Sequence, residues 1–190
     1  PTPSIGGVGL IKDYKKMITM NFKDIDNIIL VIGKTEGHID QSLFARSILD
    51  EKNGPPPEVN LFNEKNNGET VLKLIEKDFI KSAHDVSLGG ILTAVAKMCI
   101  KGNKGLKLNK QKYLINTFEY FFGEDQGRFI IEVSKDDLKK VTDILNKSSV
   151  HFDELGTVTK KELFFDEKTK VSIDELTKSN KDWLKDYISN

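Results

Sequence analysis

The stretch RFIIEVSKDDLKKVTDILNKSSVHFDELGTV, residues 128–158, decides the fold class. RFIIEVS is a short apolar run rich in β-branched residues, which is typical of a buried strand. KDDLKKVTDILNK then predicts an amphipathic helix, and VHFDELGTV predicts a second strand. Strand, helix and strand in succession indicate a protein in which helices cover a sheet.

The same alternation continues towards the N-terminus. NIILVIG (27–33) predicts a buried strand, and FIKSA (79–83) predicts a shorter one. ETVLKLIEK (69–77) and GGILTAVAKMCIKG (89–102) predict helices, the second with its final glycine as the C-terminal cap. KNGPPPEVNLFNEKNNG (52–68) predicts a loop, because three consecutive prolines do not continue a helix.

Further segments complete the prediction. SIGGVGLI (4–11) predicts an extended segment whose glycines allow close backbone packing, and QSLFARSILDE (41–51) predicts a helix with one apolar face. Residues 162–173 predict a hairpin, and residues 173–188 predict a helix with Trp183 anchored in the core. The result is a mixed α/β (α+β) sandwich, with a mixed sheet covered by helices and residues 1–190 as a single domain.

Composition narrows the classes of partner. The 190 residues carry 29 basic and 29 acidic side chains, so the formal net charge gives no reason to expect nucleic acid or an anionic membrane as a partner. No apolar run approaches the roughly 20 residues that span a bilayer, and the opening PTPSIGG lacks the features of a signal peptide. The single cysteine, Cys99, predicts a reducing, cytoplasmic compartment and a buried apolar side chain, with a thiol nucleophile as the alternative.

KSAHDVSLGG (81–90) is the first candidate site. His84 and Asp85 fall at a strand end, where sites of α/β proteins gather, although neighbours on a strand point to opposite faces. Ser87 is a suitable N-cap for the helix that follows, and Gly89 and Gly90 allow something to approach the backbone. That something is either a phosphate bound at the helix N-terminus or a neighbouring segment of the chain.

FFGEDQGRFIIEV (121–133) is the second candidate site. The side chains of Glu124, Asp125 and Gln126 are suited to magnesium or to a hydroxylated or amide substrate, and the alternative is an acidic turn that closes a hairpin. Arg128 is one of only two arginines, which indicates a geometric need for its planar guanidinium. A phosphate would meet that need, and so would a buried ion pair with Asp85 or Glu124.

Other motifs are incomplete. Gly33-Lys34-Thr35 resembles the end of a P-loop, but Ile28 stands where that loop requires a glycine. The three histidines and one cysteine show no metal-ligand spacing, so the sequence identifies no metal-binding residues. The sequence contains neither a Gly-x-Ser-x-Gly nucleophile elbow nor a Rossmann glycine fingerprint.

Five motifs in order resemble the C-terminal domain of the phosphoribosylformylglycinamidine synthase family, related to aminoimidazole ribonucleotide synthetase. They are PTPSIGGVGLI (1–11), GKTEGHIDQSLF (33–44), NGPPPEVNL (53–61), SAHDVSLGG (82–90) and FFGEDQGRFIIEV (121–133). The resemblance implies a ligase of purine biosynthesis, in which ATP and Mg²⁺ activate formylglycinamide ribonucleotide and glutamine-derived ammonia forms the amidine. It also implies a glutaminase subunit and a small bridging subunit as partners.

The resemblance further implies that this chain is the last domain of a longer synthetase, as its start on Pro1 also suggests. It then carries no catalytic residue, and its partners include the preceding domains of the same chain. His84, Asp85, Ser87, Gly89, Gly90, Glu124, Asp125, Gln126 and Arg128 become candidates for a pseudosymmetric site that holds a structural nucleotide in longer relatives. Many relatives have a glutamate where this chain has Leu88, which favours a structural role for that turn.

Two other functions fit the sequence less closely. The first is a stand-alone ligand-binding or regulatory module with the same fold and no catalysis. The second is a complete small kinase-like ATP enzyme. Such an enzyme needs carboxylates that bind magnesium beside a glycine-rich phosphate loop, and the sequence shows no such arrangement. Turnover by the isolated chain distinguishes an enzyme from a domain that needs the rest of its synthetase.

Overall fold

The computed structural model describes residues 4–110 and 115–189, so the first three residues of the PTPSIGG motif lie outside the described residues. The described strands are β1 (Ile28–Ile32), β2 (Ser82–Asp85), β3 (Gly105–Leu108), β4 (Phe129–Val133), β5 (Phe152–Thr159), β6 (Glu162–Phe164) and β7 (Lys170–Ser172). The described α-helices are α1 (Leu61–Glu76), α2 (Gly90–Gly102), α3 (Thr117–Phe122), α4 (Leu138–Lys147) and α5 (Ile173–Ser189).

These strands form one mixed sheet in the order β2-β4-β1-β5-β3-β6-β7. β1 runs antiparallel to both β4 and β5, and β3 pairs in parallel with β6. Every residue of β1 is buried, because the strand lies near the middle of the sheet and both of its faces are covered. The predicted mixed sheet and the hairpin, now β6 and β7, are confirmed.

Two hydrophobic cores lie on opposite faces of the sheet. One contains Ile29 and Val31 of β1 and is covered by α2, α3 and the first turn of α5. The other contains Ile28, Leu30 and Ile32 and is covered by α1 and α4. The alternating side chains of a strand therefore supply both cores, and the predicted sandwich of helices on a sheet is confirmed.

Several boundaries differ from the prediction. α1 begins eight residues earlier, inside the predicted loop, because the Asn60 side chain accepts a hydrogen bond from the Asn63 N–H at 3.0 Å and caps the helix. β2 begins at Ser82, three residues later than FIKSA predicted. The left-handed cap of α2 is Asn103 and not Gly102, which lies against the backbone of Phe22.

Two predicted apolar contacts are wrong. Trp183 is 60% exposed, because α5 contacts the core through Ile173 and Leu176 in its first turn. The segment 41–51 is helical only over residues 43–49, of which Ala45–Leu49 form a π-helical turn. Phe44 of the predicted apolar face stacks on Phe122, but Leu43, Ile48 and Leu49 are exposed. The sequence prediction also missed β3 and α3, which have four and six residues.

No helix in the described ranges is long and apolar enough to cross a membrane.

Candidate functional site

The GEDQGR turn, residues 123–128, connects α3 to β4 and is the centre of the candidate site. It does not close a hairpin, as one interpretation of the sequence had it. Each of its three charged side chains contacts another part of the fold. The turn therefore joins segments that are far apart in the sequence.

Asp125 holds the loop that follows β1. Its carboxylate accepts hydrogen bonds from the backbone N–H groups of Glu36, Gly37 and His38, at 3.2, 3.0 and 3.0 Å. Three successive amides around one carboxylate are a typical anion-binding arrangement of backbone. Here the anion is a side chain of the protein itself.

Arg128 lies beneath Asp125 and is almost completely buried. Its Nη1 is 3.4 Å from Asp125 Oδ2 and donates to Thr35 Oγ1 at 3.1 Å. Nη2 donates to the Gly123 carbonyl at 2.7 Å, and Nε donates to the Asp125 carbonyl at 3.2 Å. The ion-pair interpretation of Arg128 is therefore right in kind, but its partner is Asp125 and neither Asp85 nor Glu124. Burial lowers the pKa of the guanidinium, and the Asp125 carboxylate opposes that shift.

Glu124 connects two other segments. One oxygen, Oε1, accepts hydrogen bonds from the backbone N–H groups of Leu43 and Gly89, at 2.7 and 2.8 Å. The Glu124 N–H in turn donates to the His38 carbonyl at 2.8 Å. The amide at the N-terminus of α2, where a phosphate was one expectation, therefore already has an internal carboxylate as its partner.

The start of α2 differs from the prediction for Ser87. The N-cap is Gly89, with φ of 83°, and no side chain caps the helix there. The Ser87 carbonyl accepts from the Gly90 N–H at 3.0 Å. Gly90 also has a positive φ, and a Cβ on it would lie 2.6 Å from the Phe121 carbonyl oxygen. The two glycines are thus explained by backbone conformation and by the close approach of α3.

His84 and Asp85 form a contact that the sequence argument excluded. His84 Nδ1 lies 3.0 Å from Asp85 Oδ1, although the two residues are neighbours at the end of edge strand β2. His84 Nε2 is buried and has no hydrogen-bond partner among the described atoms. Burial lowers the pKa of His84, while Asp85 opposes that shift. Burial therefore favours the neutral form of this imidazole over the charged form.

A cleft of about 740 Å³ lies beside the GEDQGR turn. Asp125 and exposed Gln126 are the two predicted site residues that line it, together with parts of the 33–40 loop, the first turns of α1, Ser149 and His151. The sequence analysis missed three asparagines in this lining, Asn60 as the N-cap of α1 and Asn63 and Asn67 in its first two turns, because α1 begins inside the proline-rich segment that was predicted to be a loop. Amide, hydroxyl and carboxylate groups dominate this lining, which suits a ligand with several hydrogen-bonding groups.

Metal and thiol chemistry find little support at these residues. Within residues 4–110 and 115–189, no group of three His, Cys, Asp or Glu side chains is placed to hold a metal ion. Asp125 does not fit Mg²⁺, because backbone amides and Arg128 already take both of its oxygens. Oε1 of Glu124 likewise already accepts two amide hydrogen bonds. Cys99 is buried, and its burial raises the pKa of the thiol to about 12.

Comparison with known proteins now gives the family. The sequence profile of the family described as AIR synthase related protein, C-terminal domain, matches residues 25–167. This chain belongs to that family.

The chain is also similar to longer proteins. It is 72% identical, over all 190 residues, to phosphoribosylformylglycinamidine synthase subunit PurL of Pelagibacter ubique (strain HTCC1062), and it spans 26% of that protein. It is 38% identical over 189 residues to PurL of Rhodopseudomonas palustris (strain HaA2), again spanning 26% of its length. The chain thus spans about a quarter of the curated relatives it matches.

The fold has counterparts among solved structures. Thermotoga maritima PurL complexed with FGAR aligns with a TM-score of 0.73 at 19% identity, over 86% of this chain and 30% of that one. E. coli HypE aligns with a TM-score of 0.58 at 14% identity, over 82% of this chain and 51% of that one. The predicted resemblance in sequence and in fold is confirmed.

Proposed function

We propose that this chain is the C-terminal domain of a PurL-type synthetase subunit of phosphoribosylformylglycinamidine synthase. The observation that carries the proposal is the 72% identity to PurL of Pelagibacter ubique over every residue of the chain. The complete enzyme is a cytoplasmic ligase of purine biosynthesis that converts formylglycinamide ribonucleotide, ATP and glutamine-derived ammonia to the amidine. Residues 1–190 form one domain of it.

The cofactors and partners belong to the complete enzyme. Thermotoga maritima PurL has been solved as a complex with ATP, and a related structure is PurLQS of the same organism. These structures support the use of ATP and the association with other subunits. In the proposal, those subunits are a glutaminase and a small bridging protein. Mg²⁺ accompanies ATP in the proposal, and residues outside this chain hold it, because no group of three His, Cys, Asp or Glu side chains among the described residues is placed to bind a metal ion.

The domain contributes structure and a second, non-catalytic site. Asp125, Arg128 and Glu124 connect the loop after β1, the start of α2 and the turn itself, where β1 ends and β4 begins. In the proposal, the adjacent cleft is the pseudosymmetric site, and Gln126 is the candidate residue whose side chain is free to contact a nucleotide. His84, Asp85, Ser87, Gly89 and Gly90 support the end of β2 and the start of α2 next to that turn.

An activity assay tests this proposal. The isolated chain, given formylglycinamide ribonucleotide, ATP-Mg²⁺ and ammonia, is expected to form no amidine. A chimera, in which this chain replaces the matching segment of Pelagibacter ubique PurL, is expected to form it at a rate near that of the parent. The parent lacking that segment is the control. An inactive chimera beside an active parent contradicts the proposal, and turnover by the isolated chain contradicts the absence of catalytic residues.

A further inference from the structure

The N-terminal arm, residues 4–12, is the described segment that the fold leaves without contacts. Three of its large apolar side chains are almost fully exposed, with Ile5 at 94%, Val8 at 102% and Leu10 at 97%, and Ile11 is 64% exposed. Within the described part of the chain, the arm also takes part in no hydrogen bond and in no regular secondary structure. Both its apolar side chains and its backbone polar groups therefore lack partners.

The glycines of the arm indicate what the missing partner is. Gly6, Gly7 and Gly9 do not have positive φ values, so backbone conformation does not require glycine at these positions. A Cβ on any of them would meet nothing within 4 Å, so no contact within the chain requires glycine either. In an extended apolar segment, glycine is then typical of a place where another backbone approaches closely.

The base of the arm is fixed, which limits where that partner lies. Glu132 on β4 is fully buried, and its carboxylate accepts hydrogen bonds from the N–H groups of Lys23 and Asp24. Phe22 is buried against α2, and Thr19 forms a parallel bridge to Ser82 at the start of β2. Fully extended, the nine residues of the arm span about 30 Å.

Another exposed apolar surface gives weaker evidence for a missing partner. The last turns of α5 expose Trp183, Leu184, Tyr187 and Ile188, but a helix satisfies its own backbone groups. The arm lacks both kinds of contact, and the structure that supplies both to an extended segment is the edge of a β-sheet.

A second copy of this chain is a poor match for the arm. The described sheet has two edges, β2 with four residues and β7 with three. The bridge from Thr19 already covers the start of β2. Neither edge is long enough to pair with residues 4–12. The curated PurL relatives, by contrast, contain almost three quarters of their length outside the matched segment.

We propose that residues 4–12 add as a strand to the edge of a sheet in the part of a PurL-type chain outside these 190 residues. The inference rests on the proposed function. The arm's apolar side chains are then buried in that other domain, its amides complete the ladder of the edge strand, and its glycines allow the close contact. The arm thereby connects the two parts of the synthetase by strand pairing in addition to the covalent link of the polypeptide.

Hydrogen–deuterium exchange in the chimera with Pelagibacter ubique PurL tests the inference. The amides of residues 5–11 are expected to exchange at least tenfold more slowly in the chimera than in the isolated chain. Leu10→Asp and Gly9→Val are expected to abolish that protection, the second because its side chain prevents close approach. The matched control is Leu72→Asp, which changes a similarly apolar, exposed residue on α1 and is expected to leave the protection unchanged.

Three outcomes overturn the inference. The first is an arm that exchanges equally fast in the chimera and in the isolated chain. The second is protection that survives Gly9→Val and Leu10→Asp. The third is protection of the isolated chain that rises with its concentration, which identifies a second copy as the partner. Amidine formation is scored separately, so an active chimera with an unprotected arm overturns only this inference. An inactive chimera with a protected arm contradicts only the proposed function.

Discussion

The GEDQGR turn and the N-terminal arm are both rich in glycine, but the fold uses them differently. In the turn, Gly127 has φ of 65°, and a Cβ on Gly123 would lie 2.5 Å from the Glu119 carbonyl oxygen. In the arm, the space around each glycine is open. The turn connects segments within the domain, whereas the arm has no contacts there. This difference teaches that a glycine-rich motif has to be judged by what surrounds it and not by its composition.

The largest expected effect lies in the turn, at Arg128. Arg128→Ala leaves the Asp125 carboxylate without its ion pair, and two buried carbonyls and the Thr35 hydroxyl without their donor. We therefore expect a loss of about 3–5 kcal/mol in the free energy of unfolding. Urea denaturation measures it. The matched control is Arg46→Ala, at the other arginine, which is exposed and is expected to change stability by about 0.5 kcal/mol or less. Equal effects of the two variants would contradict the buried ion pair.

Glu124 tests whether the internal carboxylate serves as the cap of α2. Glu124→Ala leaves the N–H groups of Leu43 and Gly89 without an acceptor, so we expect a loss of about 1.5–3 kcal/mol. Glu124→Gln keeps an acceptor oxygen and is expected to recover more than half of that loss. Thermal unfolding by circular dichroism compares the two variants. If Glu124→Ala and the wild type unfold at the same temperature, the hydrogen bonds of Glu124 do not stabilise the domain.

One pair of substitutions compares the turn region and the arm directly. Gly90→Ala places a Cβ against α3 at a positive φ, and we expect a loss of about 1–3 kcal/mol. Gly9→Ala meets nothing in the isolated chain and is expected to change stability by about 0.5 kcal/mol or less. Parallel urea titrations check the pair. A large loss from Gly9→Ala in the isolated chain would mean that the arm packs on its own domain.

The smallest expected effect is the pH dependence due to His84. Burial lowers its pKa in the folded state, so the unfolded chain binds a proton first as the pH falls below 6.5. The folded state therefore loses stability from that pH downwards, and the loss is complete below the folded pKa. His84→Gln removes this contribution, so its stability is expected to fall less steeply than that of the wild type. Denaturation at several pH values between 8 and 5 measures the two slopes, and equal slopes contradict the assignment.

Much of the fold could be predicted from the sequence, because the spacing of apolar residues along a strand or helix reflects which of its faces is buried. β1, β4, α2 and α4 each carry an apolar pattern that the two cores explain. α1 was predicted to begin late, because its first turns follow three prolines and depend on one asparagine cap. Trp183 was misplaced, because an apolar residue at helical spacing does not say whether that turn of the helix reaches the sheet.

The sequence identified several residues of the site, but it did not identify the contacts between them. Glu124 and Gly89 were each identified from the sequence, yet nothing in the sequence indicated that they share a hydrogen bond. The partner of Arg128 was misassigned among three nearby carboxylates, because the choice depends on how the turn folds back on itself. The three asparagines in the cleft carried one usable signal, the suitability of Asn60 as an N-cap.

Amide hydrogen exchange in the isolated 190-residue chain tests the central contrast most directly, because one sample reports on both regions. The N–H groups of Gly37, His38, Leu43 and Gly89, which the turn's carboxylates hold, are expected to be strongly protected. The amides of the arm are expected to exchange at the rate of an unfolded peptide. Protection of the arm in the isolated chain, or rapid exchange at Leu43 and Gly89, would contradict the account.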